Sequence, residues 1–363
     1  GFKVEMMGAT EIGPGRLRLA PSQRAVDLQF QRADLRYAWK ERTFQGDLSL
    51  LLLDSGWLQS RFSLPIPAAP PWAIERAGPV EISVRGEIHG KGLLAAIFPG
   101  RIKKSQENGS FSLHAGGTWG RPTVKLSAQI QKVLFSLAAS PSLWGEERPS
   151  AILSDERLRF HLPSGNLDLS LDDERFLLSF RFDWEKKGTL EGRLSSSESS
   201  GRPTLDHGTF EVEFSNLNMA SLAPLLPESL LLDGFLSGKG NGRWSPDRRI
   251  ALFAQANVDE GMILWKGEGG RVTSRIHRGE MRLSWMDEHL EGKIDLTLAK
   301  YGALEGRFRI PLPARLPPGL QRRGPLHVSL KGEAFEAGLL TALFPGTIED
   351  TRGKLEIDLS ARG

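Results

Sequence analysis

The chain has 363 residues, of which 25% are charged and 39% hydrophobic, with no cysteine and a formal net charge of +3. The lack of cysteine excludes disulfides and thiolate metal sites. A charge of +3 on this length is close to neutral despite an isoelectric point of about 9.1, and no dense Lys/Arg cluster is interleaved with aromatics, so nucleic acid is not expected as a partner. Apolar runs such as Leu50–Leu53 are far too short to span a bilayer, and the opening GFKVEMMG carries no signal-peptide pattern. The chain reads as a segment of something longer.

In chain order the dominant pattern is strict alternation of apolar and polar residues. DLSLLL puts Leu48, Leu50 and Leu52 on one face. VEISVRG does the same for Val80, Ile82 and Val84, with Glu81, Ser83 and Arg85 opposite. SFSLHA pairs Phe111 with Leu113, and TVKLSAQI aligns Val124, Leu126, Ala128 and Ile130. NLDLSL gives Leu167, Leu169 and Leu171; LSFRFDW gives Leu178, Phe180, Phe182 and Trp184. TFEVEF gives Phe210, Val212 and Phe214; KIDLTL gives Ile294, Leu296 and Leu298; LHVSLKG gives Leu326, Val328 and Leu330. A period of two is the signature of a strand with one apolar and one wet face. Breaks at Gly, Pro, Asp and Asn recur at hairpin spacing, so the chain is expected to be all-β. The glycines are expected at turns and strand ends, where positive φ is needed.

Three short stretches depart from this pattern. GLLAAIFPG (Gly92–Gly100) carries Leu94, Ile97 and Phe98 at helical spacing; GLLTALFPG (Gly338–Gly346) carries Leu340, Leu343 and Phe344; MASLAPLLP begins at Met219. Each predicts a short amphipathic helix stopped by proline. Such a helix serves either as a cover over part of an apolar sheet or as a gate for a ligand.

The first two stretches are offset by 246 residues, and the same offset carries Trp39 to Trp285, Gly46 to Gly292, Gly56 to Gly302, Gly86 to Gly332 and LPIP to IPLP. Residues 9–117 and 255–363 are therefore two copies of one unit, and 118–254 is a fainter relative. A repeat on this scale argues for one continuous, stacked architecture over 1–363, against a duplicated globular domain. Roughly 20 strands would each offer an apolar face, without enough helix to cover them. Stacked at ~4.8 Å per strand, they would form a rod of about 100 Å. The sheet is expected to curl along its length into a U-shaped trough, apolar inside and polar outside, which marks a binding surface.

Catalytic patterns are missing from the sequence. The seven histidines (His89, His114, His161, His207, His277, His289 and His327) lack metal-ligand spacing, and there is neither a phosphate-binding glycine loop nor a G-x-S-x-G elbow. SWMDEHLEG brings Asp287 and Glu288 beside His289, yet the first copy reads AWKERTFQG there, so a hairpin turn is expected. Trp39 and Trp285 precede that turn in both copies and read as packing at a strand end, or as a platform for a lipid headgroup. No enzyme activity, metal or cofactor is expected.

GLLAAIFPG with GLLTALFPG, GGTWGRP after the first, and LAPLLPES followed by LDGFLSGKGNGRW resemble the TamB proteins, the inner-membrane subunit of the translocation and assembly module, and more widely the AsmA-like bridge proteins. The resemblance covers most of the chain. It implies a β-taco standing in the periplasm of a Gram-negative bacterium, part of a protein anchored in the inner membrane. It further implies phospholipid as the transported ligand and cooperation with an outer-membrane barrel of the TamA/BamA type. An N-terminal anchor is absent from this sequence, and so is the extreme C-terminal segment that meets the barrel partner in the family.

Two functions remain open at this stage. In the first, acyl chains lie along the inward residues, and the groove is lined by Leu48, Leu50, Leu52, Val80, Ile82, Val84, Phe111, Leu113, Val124, Leu126, Leu167, Leu169, Leu178, Phe180, Phe182, Phe210, Val212, Phe214, Ile294, Leu296, Leu298, Leu326, Val328 and Leu330. In the second, the chain is a periplasmic scaffold that templates outer-membrane barrels along its strand edges. A weaker third reading, a carbohydrate-binding adhesin, would need aromatic ladders on the polar face, whereas the aromatics mostly share the apolar one.

Overall fold

The computed structural model describes residues 5–19, 26–53, 56–67, 73–91, 102–137, 159–172, 175–184, 187–197, 207–220, 230–247, 249–267, 270–298, 302–314, 324–336 and 353–363. The helices expected at Gly92–Gly100 and at Gly338–Gly346 lie outside these residues, as does the stretch begun at Met219 beyond Ala220. Among the described residues 84% are in strands and there is no α-helix.

The strands run β1 (Glu5–Ile12), β2 (Gly15–Leu19), β3 (Val26–Lys40), β4 (Thr43–Leu52), β5 (Gly56–Leu64), β6 (Glu81–Lys91) and β7 (Ile102–Thr118). They continue with β8 (Arg121–Leu137), β9 (Arg159–Leu162), β10 (Gly165–Leu171), β11 (Arg175–Trp184), β12 (Gly188–Ser197), β13 (Gly208–Asn218) and β14 (Leu230–Trp244). The last six are β15 (Ile250–Gly267), β16 (Gly270–Met286), β17 (His289–Leu298), β18 (Gly302–Ile310), β19 (His327–Glu336) and β20 (Gly353–Arg362). All belong to one antiparallel sheet that does not close on itself. By contact density the residues divide into two compact units. The first carries β1–β10 and most of β11, and the second carries β13–β20.

The offset of 246 is reproduced in the pairing. Trp39 faces Phe44 across β3–β4, and Trp285 faces Leu290 across β16–β17. A register shift falls between Phe30 and Arg32 in one copy and between Ile276 and Arg278 in the other. The turn after each Trp needs a left-handed residue, supplied by Glu41 (φ 47°) and Asp287 (φ 53°). Each indole Nε1–H donates to a carbonyl oxygen 27 residues on, Trp39 to Ile66 and Trp285 to Leu312, both at 2.9 Å. The tryptophan thus ties the hairpin end to the chain leaving β5 or β18. Asp287, Glu288 and His289 belong to this turn and strand start.

The pairing also repeats every six strands when β1 with β2, and β9 with β10, are each counted as one interrupted strand. β3 pairs β1 and β2, β8 pairs β9 and β10, and β15 pairs β16, each in two segments. The fourth strand of each set opens on glycine: Gly56, Gly188 and Gly302. The junctions between sets are the long β7–β8 and β14–β15 hairpins.

The glycines correct the sequence-based expectation. Some do sit at strand ends with positive φ, such as Gly56 at 103° and Gly117 at 85°. Eight others lie directly opposite an aromatic ring, six within strands (Gly8–Tyr37, Gly46–Phe62, Gly86–Phe111, Gly242–Phe210, Gly238–Phe214 and Gly292–Phe308) and two at strand starts, as expected (Gly15–Phe30 and Gly165–Phe182). At all eight a Cβ would lie 3.0 Å or less from the ring, closer than side chains tolerate. The ring lies over the bare backbone of its neighbour and covers it, which offsets the weakness of a glycine within a strand. Sequence periodicity reads only along a strand, so cross-strand partnerships of this kind were not visible.

Candidate functional site

Directly opposed residues in an antiparallel ladder project to the same face, so register decides which side chains share a surface. In the first unit Leu48, Ser60, Val84, Leu113, Leu126, Leu169 and Leu178 form one row across consecutive pairings. The adjacent row is Leu50, Leu58, Gly86, Phe111, Ala128, Leu167 and Phe180. On one side of these lie Ile82 opposite Phe62 and Val124 opposite Leu171; on the other, Leu52 faces Gly56 and Phe182 faces Gly165. Val80 precedes β6, is buried, and donates its N–H to the Gly117 carbonyl at 2.9 Å. The first-unit strand residues read from alternation thus share one face.

The second unit behaves the same way. Phe210, Val212 and Phe214 stand opposite Gly242, Gly240 and Gly238. Ile294, Leu296 and Leu298 stand opposite Met281, Gly279 and Ile276. Leu330 and Val328 follow through Gly306 and Phe308. Leu326 exchanges two backbone hydrogen bonds with Gly363, at 2.7 and 3.0 Å.

These faces are only partly covered. Leu50, Leu52 and Val80 are 7–9% exposed, while Leu326 and Val328 are each 39% exposed, and the remainder are half-buried. The hydrophobic cluster built on fully buried residues is small: Ala33, Leu50 and Leu52, with Phe30, Leu48 and Leu58 against it. Apolar rows continuing across so many strands without a comparably buried core are surface still able to gain from contact.

The opposite face holds a feature that the sequence reading missed. Over the second unit lies a hollow of about 900 Å³, bordered by Lys239, Phe253, Gln255, Arg282, Lys293, Arg307, Arg309 and His327. Arg282, Lys293 and Arg307 stand directly opposite one another on β16, β17 and β18. Like charges in such positions repel. The first copy places Arg36, Asp47 and Arg61 there instead, with Arg61 paired to Asp47 at 2.8 Å. The cationic row of the second copy is neutralised by the acidic row beside it. Arg282 reaches Glu280 at 2.6 Å, Lys293 reaches Asp295 at 3.0 Å and Glu305 at 3.6 Å, and Arg307 reaches Glu305 at 2.7 Å. The signal lay in the polar positions of the duplicated strands, compared copy against copy.

The ion pairs leave a titration signature. The Arg307 hydrogen bond, with help from the Lys293 charge, holds the Glu305 carboxyl below its usual range; the Asp295 hydrogen bond holds Lys293 above its own. Glu305 therefore favours the folded state above its unfolded pKa, and this contribution disappears as pH falls through the depressed folded value. These groups are exposed, so the contribution is small. An NMR titration of the carboxyl carbons should show Glu305 titrating at lower pH than an ordinary glutamate. Arg307→Gln should return it toward the ordinary range, and an unchanged midpoint would discount the pairing.

Among the described residues no three His, Asp or Glu side chains gather as a metal site, and no helix is long and apolar enough to cross a membrane. No family model matches the chain, and no curated protein or solved structure matches it.

Proposed function

We propose that this chain is a lipid-conducting segment in which the sheet curls into an open U along its length, with the apolar face inward. Phospholipid acyl chains lie against rows such as Leu48–Leu178 and Leu50–Phe180, and headgroups stay in water along the open side. The observation that carries this reading is the continuity of half-exposed apolar rows across successive strands. Burial contributes about 25 cal/mol per Å², so a two-chain lipid gains enough area to bind. The rows carry no charged side chain and only Ser60 as a polar one, so the lipid is held without being locked in register. The resemblance to TamB and AsmA-like proteins supports the same reading. With it come a periplasmic location, an inner-membrane anchor on the longer protein, and work alongside an outer-membrane barrel.

Native mass spectrometry of the purified chain, with lipid extraction from the same sample, tests this directly. Stoichiometric or greater phospholipid is the expected result. A monodisperse protein that stays soluble and free of lipid would overturn it.

A further inference from the structure

On the polar face of the first unit the register sets two rows side by side. One runs Asp47, Arg61, Ser83, His114 and Lys125, each directly opposite the next. The other runs Ser49, Gln59, Arg85, Ser112 and Ser127 in the same way. A hollow of about 610 Å³ lies over them. Directly opposed side chains stand ~5 Å apart, and same-face neighbours along a strand ~7 Å. Ser83, Arg85, Ser112, His114 and Lys125 are therefore gathered in one small area.

The second copy fills the corresponding positions with ion pairs. Lys293 reaches Asp295 and Glu305, Arg307 reaches Glu305, and Lys331 reaches Asp358 at 3.2 Å. At an offset of 246, the first copy has Ser49, Gln59 and Ser112 where those three carboxylates stand. It keeps a cation, Arg85, in the place of Lys331. Arg85 donates to the neutral Gln59 side-chain carbonyl, from Nε at 3.1 Å and Nη2 at 2.8 Å. Nearby acids are engaged elsewhere. Asp47 holds Arg61 at 2.8 Å, and the Glu81 charge acts on the same guanidinium. Asp168 accepts from the Ser127 hydroxyl at 2.6 Å, and Glu87 lies 3.5 Å from His89. Among the described residues neither Arg85 nor Lys125 has a carboxylate partner. Ser112 stands directly opposite Arg85, and His114 directly opposite Lys125.

We propose that this patch binds a small soluble molecule carrying one or more phosphate groups. A phosphate offers several acceptor oxygens around one centre. The patch offers a guanidinium, an ammonium, an imidazole and the hydroxyls of Ser83 and Ser112, all able to donate. A lone carboxylate, with two oxygens in one plane, reaches fewer donors spread over three strands. The hollow is larger than one phosphate, so it admits a second phosphate or an organic portion. The site lies on the polar face and does not depend on the lipid reading.

The probe is pyrophosphate, titrated into the 363-residue chain by calorimetry, with amide chemical shifts reporting the location. Saturable one-to-one binding is expected, with Kd on the order of 100 µM in ~50 mM salt, weakening as salt is raised. The shifts should centre on Ser83, Arg85, Ser112 and His114. Gln59→Glu puts a carboxylate where Arg85 already donates, as Glu305 does in the second copy. It should weaken binding about tenfold or more, and so should Arg85→Gln; both residues are exposed, so the sheet is undisturbed. Arg282→Gln, on the larger hollow of the second unit, should leave binding unchanged. No saturation at ~10 mM pyrophosphate would overturn the proposal. Binding indifferent to both first-unit variants, or weakened equally by Arg282→Gln, would do the same. Citrate binding as tightly at matched ionic strength would show that charge alone is read and would remove the phosphate assignment. Anionic phospholipid vesicles that bind through Arg85 while pyrophosphate does not would assign the patch to a membrane surface instead.

Discussion

Gly292→Ala should cost about 2 kcal/mol of unfolding free energy, an unusually large effect for so small a change on a half-buried strand. The added methyl falls within the space of the Phe308 ring and close to Leu283, with no backbone atom among its nearest neighbours. Phe308→Ala alone should also destabilise, by about 2–3 kcal/mol, because the ring no longer covers the β17 backbone. In the double variant the methyl has room, so the two costs should combine to clearly less than their sum, with a coupling of about 1–2 kcal/mol. The corresponding pair in the first copy behaves differently. A Cβ at Gly46 meets the Arg36 carbonyl as well as the Phe62 ring, so Phe62→Ala should relieve Gly46→Ala only in part. Urea denaturation of the six variants measures this. Additive costs in both copies would show that the rings merely happen to lie over glycine.

Leu296→Glu should strip most bound lipid from the purified chain, lowering retention by about thirtyfold. A carboxylate costs on the order of 2 kcal/mol or more when pressed against hydrocarbon. Leu296 faces Gly279 and Leu304 on the apolar face and is half-buried, so the substitution leaves the ladder itself intact. Thr297→Glu is the paired control: one residue along the same strand, exposed on the opposite face. It should leave lipid content unchanged. Equal loss from both variants would mean that general charge matters and the face does not. Lipid retained by folded Leu296→Glu would remove the apolar rows from the binding surface.

Much of the strand content was legible along the chain. Alternation marks a strand because successive side chains point to opposite faces, and one pass located stretches such as Leu48–Leu52 and Phe210–Phe214. The hairpin turn at Glu41 and Asp287 was legible for another reason: two copies carrying different polar residues there could share only a backbone role. The basic row was hidden. Arg282, Lys293 and Arg307 are 11 and 14 residues apart in the chain and stand on three different strands, so alternation along any one strand does not connect them. The mid-strand glycines were misread because composition associates glycine with turns, whereas here its use depends on the ring across the ladder.

The sequence by itself determined an all-β chain, a duplication at an offset of 246, and the apolar and polar members of each strand. These are local or self-comparing properties, set by side-chain alternation and by repetition. Only the tertiary structure decided which strand lies beside which, and in what register. From that follow the joining of apolar residues into rows, the seating of eight rings over eight glycines, and the paired cationic and acidic rows. Register is set by main-chain hydrogen bonding between segments distant in the chain, and a shift of one residue would exchange the two faces.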